Sequence, residues 1–440
     1  MSAFNRCRIA AKAGVAVLFF LLAGSGNALA QRFLSEYDST IFKIDTLKKI
    51  VSRIENLHFS GYIQPQFQVA STEGAPSFEG GNFAEHSDNR FLLRRARVKI
   101  DYQLPDKLGP LPLALFTFQI DATERGSIVR DMFVKVYLPA NQGFSATAGL
   151  FARPFGYEVN LSSGFRESPE RARASQVLMP GERDLGAMLT IDPVRRRSGA
   201  PALKLDGGLF NGPGVTGTTD FDSYKDLISR LTLKPYKLSR SLLLGGGLSL
   251  LYGGWRQDTK YRWEVAATNG GFVVDSAESN TGAKAPRRYY GADVQVELKT
   301  GWGKTEFRAE YWRGTQPGTA MTTANPGTQP GGPTYIRPFD AGIFYLLQNL
   351  GSSRWELGLK YDWFDPNRAA SGSAIGDASR NYTVADVRFD TWSGGITYYA
   401  NKNLKVLAWY SHVVNEHTAL AAFASDARDD VFTLRTQLRF

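Results

Sequence analysis

The chain has 440 residues, 52 Lys+Arg against 42 Asp+Glu, 44 Gly, 28 Phe, 19 Tyr, 8 Trp and one cysteine. A single thiol excludes an internal disulfide framework and a thiolate-rich metal site, and cations spread along the sequence give no reason to expect a nucleic-acid partner. Beyond the first thirty residues no apolar run approaches the ~20 residues of a spanning helix, but a β-barrel crosses a bilayer with half-polar strands of about 9–11 residues.

Residues 1–30 have the build of a secretory signal peptide: Arg6, Arg8 and Lys12, then VAVLFFLLAG, then Ala28-Leu29-Ala30 as a cleavage site. Removal of this segment takes Cys7 with it. In 31–56, Ile44, Leu47, Val51 and Ile54 recur at helical spacing after Asp38 or Ser39 as cap, which predicts a short amphipathic periplasmic helix.

From Leu57 the period changes to two. In FLLRRARVKIDY, Arg95, Arg97, Lys99 and Asp101 alternate with Ala96, Val98, Ile100 and Tyr102, the signature of a strand with one wet and one apolar face. The same alternation predicts sixteen strands over 57–69, 89–103, 110–122, 127–139, 143–153, 183–193, 202–211, 224–236, 241–254, 286–299, 303–314, 334–348, 354–365, 383–399, 402–416 and 429–440. A sandwich would bury the apolar faces; an outer-membrane barrel would turn them to lipid and the charges to a lumen. The connections decide. Counted in order, odd ones are long and even ones short, the third excepted, as expected of extracellular loops and periplasmic turns. Tyr102, Tyr137, Trp255, Trp302, Trp312, Trp363 and Tyr398 lie near strand ends, as interfacial girdles would. By alternation Lys135 and Arg308 face inward with Arg95, Arg97 and Lys99, and the span 383–399 puts Asp386, Arg388 and Asp390 inward. Phe440 ends the apolar face of the last strand, which resembles the sorting signal of bacterial outer-membrane barrels.

Three stretches resemble the phosphate-selective porin O/P family: RRARVKI at 94–100, the run from Phe155 to Gly186 ending PGERDLG, and FNGPG…DLISRL from Phe210 to Leu231. The resemblance implies a barrel of sixteen strands, usually a homotrimer, with an arginine-lined lumen and a third loop folded inward. Arg95, Arg97 and Arg230 carry over as pore arginines, and Lys135 stands in for the family's central phosphate-binding lysine. The third loop is 154–182, whose Arg166, Arg171 and Arg173, with the flanking Arg153 and with Ser162 and Ser163 as hydroxyl donors, would form the constriction. The inward faces also carry many Asp and Glu, so lumen charges paired across neighbouring strands are the alternative to an anion ladder.

Enzyme signals fail on inspection. GPGVTG at 212–217 has no helix after it, GWGKT at 301–305 lacks the first glycine of a phosphate loop, and HVVNEH is not a zinc motif. The expectation is a passive porin in the outer membrane of a Gram-negative bacterium. It would touch lipid and small anions such as phosphate or other polar solutes, and need no cofactor or metal. A weakly selective general porin for sugars and a non-conducting structural or adhesion barrel are the alternatives.

Overall fold

A computed structural model describes residues 54–106, 112–138, 143–193, 202–217, 219–266 and 270–440. The expected signal peptide and the helical segment up to residue 53 lie outside the described residues. The strands are β1 Leu57–Ala70, β2 Asn89–Leu104, β3 Ala114–Thr123, β4 Gly126–Tyr137, β5 Phe144–Ala152, β6 Arg183–Ile191, β7 Leu203–Phe210, β8 Asp226–Lys237 and β9 Leu242–Arg256. There follow β10 Arg262–Val265, β11 Phe272–Asp275, β12 Lys284–Thr300, β13 Gly303–Gly318, β14 Thr334–Asn349, β15 Trp355–Asp365, β16 Phe389–Tyr399, β17 Leu404–Asn415 and β18 Val431–Arg439. β10 and β11 form a small hairpin in the connection from β9 to β12. The other sixteen pair antiparallel in chain order, β9 with β12, and β18 pairs with β1 to close the barrel.

The sixteen expected strands are these sixteen. The largest boundary error is in β16, which starts at Phe389 because Thr383 and Asp386 close a capping box around a 3-10 turn at Val384–Asp386. Asp386 is therefore not a strand residue. Asp390 shares its face with the exposed Trp392, and Arg388 bonds to it there, so neither lies inward as the alternation placed them.

Burial is inverted relative to a soluble protein. Leu189, Leu248 and Leu209 are 69%, 61% and 56% exposed, whereas Gln64, Gln68 and Thr433 on the opposite faces are buried. That is the pattern of a wall with lipid outside and polar groups inside. The seam closes at Gly61, which exchanges backbone bonds with Phe440 at 3.1 Å each way.

The interior also holds an apolar cluster. Phe151, Phe210, Ile228, Leu251, Phe339 and Phe364 point inward and pack with residues of the β5–β6 connection. Trp312, expected in a girdle, is fully buried here, its indole donating to Glu310 at 2.7 Å; Trp255 is buried as well. Strand-end position does not fix the face; parity within the strand does.

Candidate functional site

The connection 153–182 owes its path to a few sharp anchors. Gly156 has φ +68°, and a Cβ there would sit 2.3 Å from Glu310 Oε1 and 2.9 Å from the Trp312 ring. The Glu310 carboxylate accepts the Tyr157 and Glu158 backbone N–H groups, each at 2.9 Å. Glu158 in turn accepts from the Ala172 N–H at 3.0 Å and the Tyr345 hydroxyl at 2.9 Å, just ahead of a short helix α1, Arg173–Leu178. Phe155 meets Trp312 edge-on at 5.1 Å, and Val159, Leu178 and Met179 are buried in the interior cluster. Each fully buried apolar side chain contributes about 1.5–3 kcal/mol, so the segment is fixed by packing as well as by hydrogen bonds. Its side chains meet inward-facing groups from β1, β2, β13, β14 and β18, and its Arg166 carbonyl accepts from Lys405 of β17 at 2.9 Å.

Two carboxylates of this segment gather the arginines. Glu170 accepts from Arg94 Nε at 2.9 Å, Arg95 Nη2 at 2.6 Å and Arg435 Nη2 at 2.9 Å, and Arg166 Nη2 lies 3.8 Å away. Burial would raise the Glu170 carboxyl, but the guanidiniums of Arg94, Arg95, Arg435 and Arg166 outweigh it and hold it well below the usual range. Glu182 accepts from Arg130, Arg171 and Arg183. Arg97 bonds to Asp121 at 2.8 Å. Between these pairs lies a cavity of about 550 Å³ walled by six arginines (Arg94, Arg95, Arg97, Arg125, Arg130 and Arg171) and three carboxylates (Asp121, Glu170 and Glu182).

Arg94 and Arg130 are the two that alternation misses. Gln64 pairs with Arg95 and Pro65 with Leu93, so Arg94 is an extra residue in β2. Gln119 pairs with Asp131 and Ile120 with Val129, so Arg130 is extra in β4. Each is a β-bulge that turns two successive side chains to one face. Pro65 is the one sequence signal for the first, since proline cannot donate to a ladder and sits at edges or bulges.

Of the remaining expected residues Arg171 also walls the cavity and Arg166 lies beside Glu170, and the others are dispersed. Lys99 pairs with Asp101 at 2.8 Å. Lys135 lies 5.0 Å over the Tyr137 ring, away from the arginine cavity. Arg230 forks onto Asp293 at 2.6 and 3.0 Å, and Arg308 onto Glu167 at 2.7 and 2.9 Å. Arg153 is fully buried, its Nη2 donating to the Pro180 carbonyl at 3.3 Å. Arg166 donates to the carbonyls of Ser168 and Pro169, at 3.3 and 2.8 Å. Arg171 ties the segment to itself through Glu182 and three carbonyls. Arg173 lies over the rings of Phe389 and Phe78 at 3.7 and 4.4 Å. Ser163 shares a hydrogen bond with the Tyr62 hydroxyl at 2.6 Å, and Ser162 Oγ accepts from the Gly164 N–H at 3.3 Å.

Residues 273–440 match the family model for phosphate-selective porin O and P, which bears out the resemblance over that part of the chain. No curated protein matches the chain. Among solved structures it is similar to OprB of Pseudomonas putida, with TM-score 0.55, 12% identity, and coverage of 93% of this chain and 100% of that one. It is also similar to the outer membrane channel DcaP of Acinetobacter baumannii, with TM-score 0.53, 13% identity, and coverage of 87% and 97%. An anion-selective porin from Comamonas acidovorans gives TM-score 0.50, 11% identity, and coverage of 87% and 98%. At such identities the likeness shows the fold, a closed porin-type barrel. Together with the family match it places the chain in the outer membrane of a Gram-negative bacterium.

Proposed function

We propose that this outer-membrane porin is a passive diffusion channel that favours small anions, phosphate among them, with segment 153–182 as its constriction. One observation carries the reading: the cavity beside that segment sets six arginines against three carboxylates. An ion entering a narrow pore must have its hydration replaced, and planar guanidinium forks do this for oxyanions through charge-assisted hydrogen bonds. Arg95 and Arg97 hold the cavity's charge from the wall; Glu170 and Glu182 position the arginines and keep them from clamping a passing solute. Sieving by the segment and electrostatic bias together need no turnover, cofactor or energy input. The porin of Comamonas acidovorans, which shares the fold, is itself anion-selective. A homotrimer is the assembly that the family resemblance implies.

Reversal potentials in planar bilayers under a KCl gradient test the reading, with anion preference the expected sign and cation preference the result that overturns it. Arg95→Ala with Arg97→Ala should leave the barrel assembled and lower the anion-to-cation permeability ratio about thirty-fold, taking about 1 kcal/mol for each of the two contact-distance charges in a watery lumen. A second reading, a weakly selective porin for sugars and other polar solutes, is favoured by the paired charges elsewhere in the lumen, such as Arg230–Asp293 and Lys360–Asp362. Near-equal anion and cation permeabilities, with neutral sugars passing in liposome swelling, would establish it instead.

A further inference from the structure

We infer that the outer wall at β9, β12 and β13 is a docking face for a doubly phosphorylated lipid of the outer leaflet, lipopolysaccharide, with Arg256, Lys284, Arg288 and Arg313 as its phosphate-binding groups. The face is separate from the lumen and does not depend on what passes through it. On β12 the outward positions Ala292, Val294, Val296 and Leu298 form the apolar band, and Tyr290, 57% exposed, closes it toward the long loops. The next outward residue, Arg288, is exposed, and Lys284 lies four residues further on. Register brings neighbours to the same border: Lys284 stands opposite Arg256 of β9, Arg288 opposite Tyr252 of β9, and Tyr290 opposite Arg313 of β13. Four cations thus edge the lipid-facing band at headgroup level, on the side of the long loops, which is that of the outer leaflet.

None of the four forms an ion pair among the described residues. Instead Lys284 Nζ and the Arg288 guanidinium lie 5.2 and 5.1 Å over the Tyr252 ring, an aromatic face that holds both cations in place without neutralising them. Farther round the wall the same border changes sign. Asp340 accepts from the Trp363 indole at 3.0 Å, and Asp390 and Asp430 accept from the hydroxyls of Tyr361 and Tyr410, each at 2.6 Å. Asp340, opposite Arg313, marks where the two flanks meet. Carboxylates at headgroup level repel phosphate, so an anionic lipid is confined to β9–β13. The cations there fall into two pairs, Lys284 with Arg256 and Arg288 with Arg313. The four residues from Lys284 to Arg288 span about 13 Å at about 3.3 Å each. A headgroup with a phosphate at either end meets both pairs, whereas a free phosphate meets one. Below them the exposed Leu248 and Phe307 offer apolar surface to the acyl chains.

The test is titration of fluorescently labelled lipopolysaccharide into the folded barrel in uncharged detergent micelles. It compares wild type, Arg288→Gln with Arg313→Gln, and Arg240→Gln, an exposed arginine in the β8–β9 turn at the other end of the wall. The double variant should bind about thirty-fold more weakly, the factor that two headgroup-level cations correspond to, while Arg240→Gln leaves the affinity unchanged. Arg288→Gln alone, the milder route, should weaken binding about five-fold. Equal affinity in wild type and both Arg288 variants, or an equal loss in Arg240→Gln, overturns the face. Dephosphorylated lipopolysaccharide should bind wild type no better than the intact lipid binds the double variant; undiminished binding rejects phosphate recognition. Inorganic phosphate and cardiolipin serve as competitors, and displacement of the labelled lipid by an equal concentration of either rejects lipopolysaccharide as the occupant.

Discussion

Glu170 is the residue on which the interior arrangement turns. Removing one partner of a buried ion pair costs about 3–5 kcal/mol because the other charge is left uncompensated, and here four guanidiniums share one carboxylate. Glu170→Gln should therefore loosen segment 153–182, seen as faster amide exchange over residues 155–182, and raise the anion-to-cation permeability ratio by adding net positive charge. Unchanged exchange would show that the apolar anchors alone suffice. The pH dependence follows from the same group. Its folded pKa is depressed, so its stabilisation is fully present above the unfolded value of about 4.3 and is lost as pH falls through the folded one. Protection of the segment should be flat from neutral pH to about 5 and decline only in more acidic solution; a loss near pH 6 would point to another group.

Strand by strand, the sequence was most legible where one face was charged and the other apolar, as in Trp355–Asp365, because a period of two survives any context. Of the bulges only the first left a trace, Pro65 on the strand opposite; the second was not legible, since an inserted residue depends on which partner lies opposite. Nor did alternation say which side of the wall 153–182 takes; only family resemblance spoke to it. A signal was present, though. Ile228 beside Leu227 and Phe364 beside Trp363 put apolar groups on both faces toward the long-loop ends, which a water-filled lumen does not call for. Such two-sided stretches mark where something packs inside. Trp312 was misread for the same reason. At the seam between β1, β2 and β18 the limiting residue is Gly61, where a Cβ would lie 2.3 Å from the Arg97 carbonyl and 2.5 Å from the Phe440 ring. Gly61→Val should cut the yield of heat-modifiable folded barrel on refolding several-fold; normal yield would mean that the seam can shift.

For the whole molecule, everything rests on the inverted burial. Leu248 is 61% exposed on the outer wall, and Thr232 lies on the opposite face of the neighbouring strand. Leu248→Arg should destabilise the barrel in phospholipid vesicles by about 2–4 kcal/mol if it lies near mid-membrane, while Thr232→Arg, facing water, should change folding stability by under about 1 kcal/mol. Denaturant titration of both variants checks this, and equal penalties would contradict the assignment of faces.

The wall is also uneven in height. β5, β6 and β7 have 9, 9 and 8 residues, whereas β12, β13 and β14 have 17, 16 and 16. A tilted strand needs about 9–11 residues to cross the hydrocarbon, so β5 and β6 only just span it and β7 falls one residue short, and thinning of the bilayer on this side has a cost that grows with every ångström of mismatch. A flank that strains its lipids is one that gains by being hidden, and copies of the protein meeting along β5–β7 would relieve that strain without any specific glue.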